Sequence, residues 1–213
     1  MNEELTIAEV IEGVRPYVDK VLVMDGNSND RTREIAQYLG ARVVTDSGKG
    51  KGAAIRQAIE EVDTEAIVLI DADGSHDPAD IPRLYAPVAA GEADMVVGDR
   101  MAGGSDELAG TLSRVLRLFG SHVITLCINY RFGVCLNDVQ NGFRVIQTDV
   151  ARALKLRENG FTIEEEMVMK ALKKKYRVVN VASHEYHRKF GISRIRISKV
   201  WFRFGWVVIK HMF

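Results

Sequence analysis

Between Lys20 and Arg100, short continuous apolar runs alternate with stretches of helical spacing. The runs are KVLVMDG (20–26), ARVVTD (41–46), EAIVLIDADG (65–74) and ADMVVGDR (93–100). A strand this apolar has no side to turn to water. It must be covered on both faces, and the stretches between the runs must supply the cover. The pattern predicts an α/β class, with a mostly parallel sheet flanked by helices. The EAIVLI run is the most apolar and is expected at the centre of the sheet. Residues 5–15 depart from the pattern, because Leu5, Ile7, Ala8, Val10, Ile11 and Val14 lie near helical spacing. They place a helix first, where folds of this class usually open on a strand.

The length of 213 residues suits one domain with a sizeable core. With 46% hydrophobic and 27% charged residues, the composition excludes a disordered chain, a collagen-like chain and a disulfide scaffold. Cys127 and Cys135 match no zinc or redox spacing, so buried free thiols and a reducing compartment are expected. The net charge of zero hides a split: residues 1–99 carry 20 acids and 9 bases, and residues 100–213 carry 9 acids and 20 bases. The basic half points to an anionic partner. No basic stripe interleaved with aromatics runs through the fold, which argues against nucleic acid. The uncharged stretch Leu118–Tyr130 has 13 residues, whereas a spanning helix needs about 20.

The strongest local signal is Asp71-Ala72-Asp73. Residues two apart on an extended strand share a face, so both carboxylates are expected at the carboxyl end of a strand, where open α/β sheets bind ligands. Two hard oxygen donors there suit Mg²⁺ or Mn²⁺ held with phosphates; the alternative is a solvated strand end with turn-forming acids. Asp25 ends its own apolar run, either as an acceptor for a nucleobase or ribose or as a plain turn aspartate. GKGKGAAIR (48–56) reads as a glycine-rich turn opening a helix, able to cradle phosphate with Lys49 or Lys51, or simply a flexible turn. It lacks the order of a P-loop.

The second half reads as a loop (101–110), a long helix interrupted at Gly120, a turn into a strand (137–147) and a helix (161–175). Two further strands, 176–182 and 183–188, are joined by a tight turn. Arg114, Arg117 and Ser121 lie three and four residues apart and can grip one anion. Residues 188–213 combine bases (Arg188, Arg194, Arg203, Lys210) with Trp201, Phe202, Trp206 and Phe213, and contain no acid. That mixture describes a segment lying in a membrane interface. The division is a domain over 1–187 and an amphipathic tail over 188–213.

Taken in order, VLVMDGNSNDRT (21–32), GKGAA (50–54), IDADG (70–74), VVGDR (96–100), DVQNGFR (138–144), FTIEEEMVMKA (161–171) and YHRKFGISRI (186–195) resemble the family 2 inverting glycosyltransferases. The similarity is to the dolichol-phosphate mannose synthase-like, polyprenyl-phosphate branch, and it spans nearly the whole chain. It implies a GT-A fold and transfer of a hexose from a nucleotide-diphosphate sugar to a polyprenyl (dolichyl) phosphate, with Mg²⁺ or Mn²⁺. By the resemblance, Asp71, Ala72 and Asp73 match the metal and diphosphate motif. Glu3, Asp25, Lys51, Arg100, Arg188 and Arg194 match donor-lining positions. Arg114, Arg117 and Ser121 match the acceptor-phosphate side, with Asp73, Arg117 and Ser121 at the chemistry. Glu164 and Glu166 match acids of a later helix. The family has a strand ahead of the position of Asn2-Glu3, so the resemblance implies a sheet without its first strand. It also implies a peripheral enzyme at the cytoplasmic face of a membrane, and leaves room for a membrane-anchoring subunit.

Overall fold

The computed structural model describes residues 1–106, 112–188 and 210, the side chains of 112–117 excepted. The chain opens on helix α1 (Ile7–Val14), which buries Ile7, Val10, Ile11 and Val14 at the spacing of one helical face. Then follow β1 (Leu22–Asp25), α2 (Thr32–Tyr38), β2 (Arg42–Thr45), α3 (Lys51–Glu61) and β3 (Ala66–Leu69). The alternation continues through α4 (Ile81–Ala89) and β4 (Met95–Asp99). Beyond them lie α5 (Arg100–Gly103), α6 (Leu112–Phe132), β5 (Arg144–Gln147), α7 (Thr148–Ala153), α8 (Ile163–Lys173) and β6 (Val178–Ala182).

The strands form two sheets: a parallel pair β1–β2, and four strands in the order β3–β5–β4–β6. In the larger sheet β4 and β6 are parallel, while β5 runs antiparallel to both neighbours. The chain leaves β4 at its carboxyl end and comes back through the 137–143 turn at that same end, so β5 enters reversed. The centre therefore belongs to β4 and β5, and β4 is buried along its whole length. The apolar β3, expected at the centre, instead lies at the edge of its sheet, with Ala66, Val68 and Leu69 only half-buried.

Helices cover both faces. On one face, Val10 and Val14 of α1 and Ile81, Leu84 and Val88 of α4 pack with Val96, Phe143 and Val145, and Val68 and Ile70 join them. On the other, Ile59 of α3, Val150 of α7 and Met167 of α8 pack with Ile67, Val97 and Ile146. Alternate residues of β3 thus serve opposite faces, as the pleat requires.

Several expectations shift. Helix α6 runs through Gly120 without a break. Residues 183–188 form no strand; the segment touches others through single bridges, Glu185 to His76 and Glu185 to Ser105. Neither cysteine is buried: Cys127 is half-buried and Cys135 exposed. Apart from Arg188 and Lys210, the tail lies outside the described residues, as does Arg194. Lys210 pairs with Glu158 at 2.7 Å. Among the described residues no helix is long and apolar enough to cross a membrane.

Candidate active site

A groove of about 1490 Å³ runs between β1 and β3. Its mouth lies at the carboxyl ends of these strands, where Glu3, Gly26, Asp46, Lys51, Asp71, Asp73 and Arg188 line it. The two strands point the same way. Thr6 Oγ1 donates to the Ala72 carbonyl at 2.7 Å at one end, and Lys20 pairs with Asp63 at 2.7 Å at the other.

β3 stops at Leu69, so Asp71 and Asp73 sit on the turn that follows rather than on the strand. The turn is shaped by its own side chains. Asp73 accepts from the Ser75 hydroxyl at 2.6 Å and from the Ser75 N–H at 3.1 Å. Its other oxygen meets Arg188 Nη2 at 2.9 Å. Asp71 faces Lys51 Nζ at 2.9 Å, and the same ammonium meets Glu164 Oε1 of α8 at 2.9 Å. Each carboxylate of the pair therefore stands opposite a cation.

The electrostatics follow from this pairing. Burial works most strongly against the Asp71 carboxylate, but Lys51, His76 and Arg188 together outweigh it and hold the acid down at about 2. Burial likewise opposes the Lys51 ammonium, and Asp71 and Glu164 outweigh it, so the lysine stays charged well above its ordinary range. Glu3 is raised, chiefly by burial and in part by the neighbouring Asp73. Two hard carboxylate donors on one turn, balanced by two partly exposed cations, form a set that fits Mg²⁺ or Mn²⁺.

Other expected residues are placed differently. Asp25 is 1% exposed and accepts from the Ser28 N–H at 3.0 Å and from the Ser28 hydroxyl, with Arg33 Nε at 3.7 Å. It shapes the 25–32 loop and does not line the groove. Arg100, expected among the donor phosphates, is only 8% exposed. Its guanidinium bonds Asp138 at 2.6 and 3.1 Å and reaches Glu185 at 3.4 Å. Two buried carboxylates claim it, and it faces inward. Arg114 and Arg117 lie on α6 with side chains outside the described residues; Ser121, one turn on, is half-buried.

The glycine-rich turn also works differently from a phosphate cradle. The N–H groups of Gly52 and Ala53, at the start of α3, donate to the Asn159 carbonyl at 2.8 and 3.4 Å. A Cβ at Gly50 would come within 2.6 Å of that oxygen. The glycines let α3 approach the 157–160 loop, and it is Lys51 that faces the acids.

Sequence reasoning passed over His76 and Glu185. His76 is 5% exposed, stacks at 5.1 Å on Phe143, and has a buried Nδ1 with no hydrogen-bond partner among the described residues. Glu185 accepts from Ser105 Oγ at 2.6 Å as well as from Arg100. Neither belongs to a recognisable spacing; only tertiary contact reveals them. The close approach at Gly142 is also tertiary: a Cβ there would lie 2.9 Å from Asp71 Oδ2 and 3.0 Å from Lys51 Nζ.

Comparison with known proteins agrees with this architecture. Glycosyltransferase AglJ of Haloferax volcanii is 34% identical over 192 residues, covering 89% of this chain and 62% of AglJ. The chain thus spans less than two thirds of that relative. A dolichyl-phosphate hexose transferase of the same organism is 27% identical, over 81% of this chain and 74% of the relative. Among solved structures, glucosyl-3-phosphoglycerate synthase from Mycobacterium tuberculosis, crystallised with Mn²⁺, uridine diphosphate and phosphoglyceric acid, superimposes with a TM-score of 0.76. It is 20% identical and is matched over all of this chain and 75% of that one. This likeness establishes the GT-A fold. The model of the family described as glycosyl transferase family 2 matches residues 1–140, and the chain belongs to that family.

Proposed function

We propose that the chain transfers a hexose from a nucleoside-diphosphate sugar, of the GDP-mannose or UDP-glucose kind, to a polyprenyl (dolichyl) phosphate with inversion. One observation carries this reading. Glu3, Lys51, Asp71, Asp73 and Arg188 gather at the groove mouth, at the carboxyl ends of two strands. Asp71 and Asp73 are the residues that would hold Mg²⁺ or Mn²⁺. When bound there, the ion supplies neutralisation of the leaving diphosphate. Lys51 and Arg188 reach the same turn and are placed to bond phosphate oxygens once they leave the carboxylates. Ala72 contributes through its backbone, fixed by Thr6.

The acceptor oxygen belongs to a phosphate, which is ionised near neutral pH. No side chain then has to remove its proton, and alignment and charge stabilisation remain as the task. The phosphate oxygen attacks the anomeric carbon in line. As the new C–O bond forms, the bond to the diphosphate breaks, its electron pair leaves with the diphosphate, and the configuration inverts. Arg114, Arg117 and Ser121 of α6 are assigned to the acceptor phosphate, and Arg194 to the donor side. The lipid acceptor is supported by the name of the dolichyl-phosphate relative and by the basic, aromatic composition of 188–213. The same composition supports a peripheral position on the cytoplasmic face of a membrane, alone or with an anchoring subunit.

The test offers the full chain radiolabelled GDP-mannose or UDP-glucose, polyprenyl phosphate in detergent, and Mn²⁺. Labelled glycolipid is expected with the native chain and none with Asp73→Ala. Transfer that survives Asp73→Ala while still requiring the metal would overturn the assignment.

A further inference from the structure

Helix α8 brings three acids to the back of the site, and the transfer described above gives a role to none of them. Glu164, Glu165 and Glu166 fill its first turn, and all three are buried. A carboxylate buried this deeply is costly unless it is paired. Glu164 faces Lys51 directly, at 2.9 Å. Glu166, 0% exposed, turns the other way. Its carboxylate accepts from the Arg157 N–H at 2.9 Å on each oxygen and from the Glu158 N–H at 2.8 Å. Lys170, one turn along α8, balances its charge at 2.8 Å and donates to the Lys155 carbonyl at 2.6 Å. Glu166 therefore holds the backbone of the chain that leads into its own helix.

The backbone held in this way lies against α3. The Asn159 carbonyl takes the N–H groups of Gly52 and Ala53. Arg56, one turn further along α3, donates to the Glu158 carbonyl at 3.1 Å and to Asn159 Oδ1 at 2.7 Å. Gly50 has a φ of +112°, and a Cβ at Gly52 would overlap the Glu158 carbonyl. The junction is thus backbone against backbone, and the first turn of α3 cannot tilt unless the 157–160 loop moves with it. Lys51 is the first residue of α3 and stands between those two glycines. An unbroken run of contacts leads from Glu166 through the loop and the start of α3 to Lys51, and from Lys51 to Asp71.

We infer that Glu166 is a positioning residue of the donor site: it sets the 157–160 loop, the loop sets the first turn of α3, and that turn aims Lys51 at the Asp71–Asp73 turn. The inference rests on the reading of Lys51 as a ligand of the donor diphosphate. Lys51 has to exchange Asp71 for phosphate oxygens by rotating its own side chain. That rotation delivers the ammonium to one place only if the Cα from which it swings stays fixed. Glu164 steadies the moving end of the side chain, and Glu166 fixes the pivot. A carboxylate suits the second task because it is acceptor-only and can receive both backbone N–H groups. In Glu166→Gln the amide nitrogen would turn a donor towards one of those N–H groups, which loosens the loop at nearly constant volume.

Two variants of the full chain loosen the junction from opposite sides: Glu166→Gln from α8, and Arg56→Ala from the surface of α3. The second removes only side-chain contacts at the surface and decides the matter if the first does not fold. The first readout is acetylation of Lys51 by an amine-reactive ester, followed by peptide mass spectrometry, with the exposed Lys49 as internal reference. Lys51 should label slowly in the native chain and about tenfold faster, relative to Lys49, in each folded variant. The second readout is donor kinetics in a cycle with Lys51→Ala. Each variant should raise the donor KM roughly fivefold or more, with kcat changed less, and should add under about twofold once Lys51 is already alanine. The proposal is overturned if Lys51 keeps its native labelling rate in either folded variant, or if every lysine speeds up together, as general loosening would require. It is equally overturned if the KM effects persist undiminished beside Lys51→Ala. The labelling needs no donor, so it decides the positioning role even if no sugar is transferred. Transfer by the native chain with unaltered labelling in the variants would end the positioning role and leave the proposed function standing.

Discussion

Two clusters of ion pairs lie at the same end of the molecule, and they are built for opposite purposes. At the groove mouth, Lys51 and Arg188 face Asp71 and Asp73, with side chains 25% and 31% exposed for the cations. Behind β4, Arg100 is locked between Asp138 and Glu185, with side chains 8%, 1% and 11% exposed. Both clusters combine cations with buried carboxylates, Asp73 at 6% and Glu185 at 11% exposed, and the exposure of the cation separates their roles. A cation that can reach water can leave its carboxylate for a phosphate. A buried cation that leaves strands two charges in a medium of low dielectric. Residue type and position along the chain do not distinguish the two arginines; their surroundings do.

The sharpest way to break this contrast is to remove each arginine in turn. Arg100→Ala leaves Asp138 and Glu185 buried without their partner and should cost about 3–5 kcal/mol in urea unfolding. Activity would be lost together with the fold. Arg188→Ala leaves Asp73, whose side chain is 6% exposed, with its Ser75 bonds, and should cost less than Arg100→Ala, about 1–2 kcal/mol. It should lower kcat/KM about a hundredfold, as expected for a lost charge-assisted contact to the leaving group. Equal stability losses in the two variants would erase the distinction.

A third buried acid sharpens it from the other side. Glu165 is fully buried and is raised to about 8 by burial and then by Glu164 beside it. Its folded value lies above its unfolded value of 4.5. The stability it contributes is complete below about pH 4.5 and is lost as pH rises to about 8. Glu165→Gln has no such dependence. Its advantage over the native chain should grow from nothing near pH 4.5 to about 2–4 kcal/mol near pH 8.5, read from denaturant midpoints.

The smallest effect is expected at Gly142. The added methyl of Gly142→Ala would press on Asp71 and Lys51, both able to shift, so stability should fall by less than about 1 kcal/mol. Mn²⁺ affinity should change a fewfold, roughly 3–10-fold, measured by calorimetry.

Much of this architecture was legible because burial on both faces writes itself as continuous apolar runs; β1, β2, β3 and β4 all fall inside such runs. What stayed hidden depends on where the chain returns. The sequence of β5, RVIQ, carries no sign of its direction; the 137–143 turn reverses it. SHEYHR alternates like a strand, but Glu185 is drawn to Arg100 and Ser105, and the segment makes only single bridges. At the site, Asp71-Ala72-Asp73 stood out as paired acids at the end of an apolar run, and the structure places them at the groove mouth, although on a turn. The inward facing of Arg100 could not be read, because Asp138 and Glu185 are 38 and 85 residues away in the chain. Asp25 is the converse case: its partner Ser28 is three residues on, so a local turn was visible as an alternative.

If Asp71 and Asp73 together hold a divalent ion against a diphosphate, neutralising Asp73 must weaken the binding of that ion. The most direct measurement is an electron paramagnetic resonance titration of Mn²⁺, with GDP or UDP present, into the native chain, Asp73→Asn and Asp149→Asn. The Asp149 side chain is fully exposed and is not among the residues lining the groove, and it serves as the control. The native chain and Asp149→Asn should bind Mn²⁺ alike, while Asp73→Asn should bind at least about tenfold more weakly. Equal Mn²⁺ affinity in all three proteins would contradict it.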